Sequence, residues 1–225
     1  MKATFLKLDD IRAHATKIFV ALCWIHVGVA ATVSALARNE ILTPVAVALA
    51  AAAGATIAAW RLRDGLPLRA IVAICLTVGP IAFVYAARGH SSGISGTEDW
   101  QIDYHMYFFA VFAMLTAYID WRPIAVAAAL TAVHHLILDL FVPANVFPQE
   151  GLDRVVLHAL AVVAECSVLF WITYEINALF KRVEEANALV ELTAEQTADA
   201  LAQQMAENAT LKGQLELAMA VPSAN

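Results

Sequence analysis

Apolar residues gather into blocks of about twenty, parted by short polar punctuation, which is the length a helix needs to cross hydrocarbon. The blocks fall at 18–37, 44–60, 68–87, 101–119, 123–142 and 152–176. Before the first lies FLKLDDIRAHATK, a short amphipathic helix by its pattern, in a segment carrying Lys2, Lys7, Arg12 and Lys17. Arg61, Arg63 and Arg69 separate the second and third blocks, and a Gly/Ser stretch at 89–99 separates the third and fourth. Pro80 after Gly79 predicts a kink within the third block, whose lost backbone bonds neighbouring helices must satisfy. Asp120, Trp121, Arg122 and Pro123 form a tight turn, with proline near the first position of the next helix, where its missing N–H costs nothing. Pro143 and ANVFPQEG close the fifth block.

The sixth block runs on without a breaker into a polar stretch rich in Ala, Glu, Gln and Leu. There Leu179, Val183, Ala186, Leu189 or Val190, Leu201, Met205, Leu211, Leu215 and Ala218 make an imperfect heptad seam. Gly213 weakens its end and Pro222 closes it. The pattern therefore predicts an all-α polytopic membrane protein of six transmembrane helices, the last continuing into a cytoplasmic coiled-coil-like signalling helix. Its parts are an N-terminal segment at 1–17, a six-helix membrane sensor domain at 18–176, an output helix at 177–219 and a disordered tail at 220–225.

Composition agrees, since 61% apolar and 15% charged residues exclude an ordinary soluble domain. A net charge of −6 adds little, because much of the acid lies in the polar tail, and no basic patch suggests nucleic acid. A charged stretch before the first block argues against a cleaved signal peptide. Lys2, Lys7, Arg12, Lys17, Arg61, Arg63, Arg69, Arg122, Lys181 and Arg182 share one side, whereas Arg38, Arg88 and Arg154 lie on the other. Basic residues favour the cytoplasm, so both termini are expected inside a bacterial inner membrane, with the bilayer as first partner. Cys23, Cys75 and Cys166 each lie in an apolar block without CxxC spacing and read as packing residues.

Chemistry gathers between Trp100 and Leu169, where three apolar helices carry His105, His134, His135 and His158. At ~1.5 Å of rise per residue, His105, His158 and His135 lie roughly 6, 8 and 10 Å from the outer ends of their helices. Short connections make those helices antiparallel neighbours, so the imidazoles can meet in the outer leaflet. Polar rings in hydrocarbon are costly without partners, and a metal or cofactor site answers that cost. Asp139, four residues after His135, is placed to orient it. His134 and His135 point about 100° apart on a 3.6-residue helix, so one can ligate while the other meets a neighbouring helix. The competing reading is that all four imidazoles only hydrogen-bond between helices. Imidazole suits copper, zinc and iron alike. The Ala-rich fifth block leaves room for a porphyrin, and Arg154, one turn before His158, suits a haem propionate. His26 and Glu165 share a similar depth and make a candidate intramembrane polar pair, or else are satisfied separately. His14 and His90 lie in polar segments and carry no assignment.

DYHMYFF, DWRPIAVAAALTAVHHLILDL and VVLHA together resemble the multi-spanning sensory region ahead of the signalling domains of certain bacterial methyl-accepting chemotaxis proteins and some diguanylate cyclases. The resemblance covers about 100–169 and includes His105, the DWRP turn, the His134–His135 pair and the LHA at 157–159. It implies an input module with a cytoplasmic helical output. Similarity to the MHYT-type sensors proposed to hold copper near the outer face is only distant, because His105–Met106–Tyr107 is not their motif. By Asn225 there is no chemoreceptor hairpin, cyclase or kinase, so the output is expected from a signalling partner or a missing domain.

Two functions follow. The first is a sensory module, not an enzyme, in which a transition metal such as copper, or haem b, sits at the outer-leaflet histidines and signals through the sixth helix of a homodimer. The alternative is a haem-binding electron-transfer protein or redox enzyme subunit using the same histidines. No nucleophile–base pair, phosphate loop or HExxH points to hydrolysis.

Overall fold

In the computed structural model of the chain, the described residues are 7–89, 100–142, 145 and 152–220; the side chains of 152–154, 218 and 220 lie outside them. So do 221–225 of the tail predicted at 220–225, whose first residue belongs instead to a helix, His90 with most of its Gly/Ser loop, and the side chain of Arg154. The helices are α1 (Leu8–Leu36), α2 (Leu42–Arg61), α3 (Leu66–Ala86), α4 (Trp100–Leu115), α5 (Trp121–Phe141) and α6 (Leu152–Ala220). A 3-10 turn at Thr116–Tyr118 follows α4. Five of these helices, all but α4, are long and apolar enough to cross a membrane. The chain is a helical, multi-pass membrane protein. It divides into two compact units, Met1–Asn177 and Ala178–Asn225.

The first helix begins ten residues before the predicted apolar block, because the amphipathic stretch is simply its opening turns. Asp9 and Asp10 sit in its first turn, where acids complement the helix dipole. Leu8, Ala15, Phe19, Cys23, Ala30 and Val33 carry one buried face through its whole length. Along α2 the buried positions are Pro44, Ala48, Ala52, Ala55 and Ala58, a stripe of small residues that lets backbones approach closely. The centre of the bundle is α3, which packs on α1, α2, α4 and α5. Pro80 lies inside it and removes one ladder N–H.

Side-chain contacts give the direction of each helix. Arg12 and Thr16 of α1 meet Tyr118, while Val33 packs with Ala86 and Ala87 at the other end. Arg69 at the start of α3 reaches Asp120 at the start of α5. Thus α1, α3 and α5 run one way, and α4 runs back. Asn177 of α6 reaches the same corner as Asp120 by donating to the carbonyl of Ile119 at 2.9 Å. The membrane unit thereby has an Asp120 end and a histidine end.

The Asp120 end is built around the expected tight turn. Asp120 caps α5 by accepting from the Arg122 backbone N–H at 3.1 Å, and its carboxylate also takes the Arg122 guanidinium at 2.8 and 3.0 Å. Arg69 reaches it from α3 at 3.2 Å and holds Asp64 at 3.1 Å. Burial alone raises the Asp120 carboxyl pKa, but hydrogen bonds and charge from Arg122, with the charge of Arg69, outweigh it and hold the group below its ordinary range. Beside it Ile119 is left-handed at φ 50°, ψ 44°, an uncommon state for a β-branched residue. Its carbonyl accepts from Arg12 Nη2 as well as from Asn177.

Within Ala178–Asn225 the helix keeps Leu189, Leu201, Met205, Leu211 and Leu215 of the predicted seam exposed. All three cysteines are buried and unbridged.

Candidate functional site

Three of the four predicted imidazoles come together at the histidine end. Ring centroids of His105 and His135 lie 5.2 Å apart, His105 and His158 5.6 Å, and His135 and His158 5.9 Å. His105 and His135 are buried, and His158 is half-buried. Each comes from a different helix, as the shared depth required.

Two of these rings are oriented by their own helices. Nδ1 of His105 donates to the Gln101 carbonyl at 2.7 Å, and Nδ1 of His135 donates to the Thr131 carbonyl at 2.8 Å. A carbonyl only accepts, so each ring carries its proton on Nδ1 and leaves Nε2 with the lone pair. That is the tautomer a ligating histidine needs, fixed in the usual way by a bond on the other nitrogen.

Beside them residues of α4, α5 and α6 line a half-open cavity of about 420 Å³, with His105, His135 and His158 on its wall. Its walls are otherwise mostly apolar, with Phe108, Phe109 and Leu136 on one part and Ala128, Ala132 and Ala159 leaving space on another. Ligand pockets of ~300–1,000 Å³ hold organic molecules, whereas a bare ion needs far less room. Among the described residues no group of three His, Cys, Asp or Glu forms a ready-made chelate. The arrangement sets the His105 and His135 imidazoles beside a space large enough for an organic group.

His134 stands apart from this cavity. Its ring lies 5.2 Å from that of His135, but it lines a separate cavity between α2, α3 and α5. Asp139, one turn beyond His135, contributes its charge to the His135 imidazole, yet its Oδ1 has no hydrogen-bond partner among the described residues.

His26 is also found elsewhere than on Glu165. Its Nε2 pairs with the Tyr107 hydroxyl at 3.0 Å, and its ring meets Phe83 and Tyr107 edge-on. The ring fills the notch over Gly79, where a Cβ would stand 2.1 Å from His26 Nδ1. Glu165 has no hydrogen-bond partner for Oε2 among the described residues. Tyr107 is a partner that sequence position alone does not reveal, since its hydroxyl meets His26 across two helices. His14 is exposed on α1 and joins no cluster among the described residues.

Comparison of this chain with protein-family models, with curated proteins and with solved structures finds no match, so the site's geometry is what speaks for its function.

Proposed function

We propose that the chain is the membrane-embedded sensory input module of a bacterial receptor of the chemotaxis type. In this reading haem b occupies the cavity between α4, α5 and α6, and the sixth helix carries the response. The observation that carries it is the pair of Nδ1–carbonyl bonds, which leave Nε2 of His105 and His135 as lone-pair donors beside a large apolar cavity. His158 is the third candidate ligand, and Arg154, one turn earlier in sequence, suits a propionate. A copper ion alone is the lesser candidate, because the cavity far exceeds an ion and the described residues offer no preformed three-donor group. When bound, haem supplies an iron that can answer redox state or a diatomic gas. The chain's residues orient the imidazoles and keep water from the centre with phenylalanine, leucine and alanine walls.

Six crossings with both termini in the cytoplasm belong to the same proposal. The sixteen residues of α4 rise about 24 Å and the three of its 3-10 turn about 6 Å, together near the ~30 Å of a hydrocarbon core. Dimerisation through the exposed seam at 179–215, and a cytoplasmic signalling partner, complete the reading.

Absorption and elemental analysis of the purified full chain test it. A Soret band with iron is expected, lost in His105→Ala and His135→Ala proteins that still insert. A parent with neither Soret band nor stoichiometric metal overturns it.

A further inference from the structure

Trp24 of α1 donates its indole N–H to the Thr56 hydroxyl of α2 at 3.1 Å, a bond on the exposed surface of the bundle that fixes the register of these two helices. Lys17 lies seven residues before Trp24, about 10 Å nearer the Asp120 end and on the same face of α1, since seven residues make nearly two turns. On α2 Trp60 lies one turn past Thr56, about 6 Å toward that same end. The Arg61 guanidinium stacks 4.5 Å over the Trp60 ring, and Arg63 follows in the connection to α3. Lys17, Trp60, Arg61 and Arg63 are all exposed.

These cations differ from their neighbours in having nothing to hold. Arg12 donates to the carbonyls of Tyr118 and Ile119, Arg69 bonds Asp64 and Asp120, and Arg122 bonds Asp120. For Lys17, Arg61 and Arg63 no carboxylate partner is found among the described residues. The carboxylates of this end are taken or distant: Asp64 and Asp120 are held as above, Asp9 lies 3.8 Å from Arg12, and Asp10 stands two turns beyond Lys17, about 10 Å further out. Toward the middle of the bundle the same surface turns apolar, with Trp24, Ile25 and Ile57 exposed.

An apolar strip that ends in unpaired cations beside an exposed tryptophan has the profile of one phospholipid at the edge of the hydrocarbon. Guanidinium and ammonium groups select phosphate, and their net positive charge selects a headgroup that is anionic overall. We infer that the α1–α2 seam binds an anionic phospholipid, with Lys17, Arg61 and Arg63 at its phosphodiester and its acyl chains along Trp24 and Ile57. The site is built from α1, α2 and the turn after them, and it depends on no cofactor.

The test titrates the full chain in detergent with phosphatidylglycerol or phosphatidylcholine and counts bound lipids by native mass spectrometry. Phosphatidylglycerol should bind more tightly, and its advantage should shrink as salt is added. Arg61→Gln should lower that affinity about fivefold, the worth of one basic side chain near an anionic headgroup. The triple variant Lys17→Gln, Arg61→Gln, Arg63→Gln should lose most of the preference with the helical circular dichroism of the parent. Arg38→Gln removes an exposed cation at the histidine end and should leave the preference as it was. Equal affinity of the parent for both lipids overturns the inference, as does parental affinity in R61Q or in the triple variant. A loss in R38Q equal to that in R61Q also overturns it, because net charge alone then accounts for the attraction. So does displacement of the lipid by free glycerol phosphate, which would make a soluble phosphate ester the ligand. None of these readings involves haem, so this inference and the haem reading can fail separately.

Discussion

Asn177 donates its side-chain N–H to the carbonyl of Ile119 at 2.9 Å, and Arg12 donates to the same oxygen at 3.3 Å. One left-handed residue between α4 and α5 thus anchors α1 and α6 as well. Asn177→Ala should cost about 1 kcal/mol, the net worth of one hydrogen bond, read as a lower thermal midpoint in detergent. Asn177→Asp should cost more, because it sets a carboxylate against a carbonyl; equal midpoints for the two variants would remove the bond from the account.

The charges at Asp120 differ in exposure, and their worth should differ accordingly. Asp120→Ala takes away the α5 cap and leaves Arg69, whose side chain is 6% exposed, with Asp64 alone. Breaking a buried pair in this way costs about 3–5 kcal/mol. The side chain of Arg122 is 46% exposed, so Arg122→Ala should cost no more than about 1 kcal/mol.

Acid should act through the same carboxylate. Its pKa is lowered in the folded chain, so its contribution is present above the ordinary aspartate value and is lost as pH falls through the lowered one. Stability measured from pH 6 down to pH 2 should therefore drop below about pH 4, the ordinary aspartate range, and the D120A protein should show a smaller drop.

Gly79→Ala should be among the most damaging small substitutions, since its Cβ would meet the His26 ring at 2.1 Å. Removing the ring should relieve that clash, so the double variant His26→Ala, Gly79→Ala should lose less stability than the sum of the singles. Strict additivity would mean the two do not meet.

Cavity size separates the two cofactor readings. Ala132→Phe places a ring into the 420 Å³ cavity without replacing an imidazole. Haem content should fall sharply, whereas a bare metal ion would be retained at the parent's level.

The blocks of twenty and their breakers made most helices legible, because hydrocarbon imposes a length that composition alone reveals. The opening turns of α1 were legible as a short amphipathic helix, but Asp9, Asp10 and Arg12 set them apart from the apolar block with which they form one helix. The left-handed Ile119 was not legible at all, since glycine or asparagine is the usual occupant of that conformation. Depth along a helix brought His105, His135 and His158 to one level, but depth carries no azimuth. It matched His26 with Glu165, where the ring is found on Tyr107. The 100° between His134 and His135 did contain the azimuth, and it is why these neighbours serve two cavities.

A ring seated in a glycine notch is a key in a lock. With His26 filling the space over Gly79, α1 cannot slide along α3 by even one residue without driving imidazole into the side chains on either side. The most apolar window of α3 is 67% buried and that of α6 only 6%. Of the five apolar helices α3 is the one most held by its neighbours and α6 the least, so in the proposed sensory reading the stroke falls to the helix with least to let go.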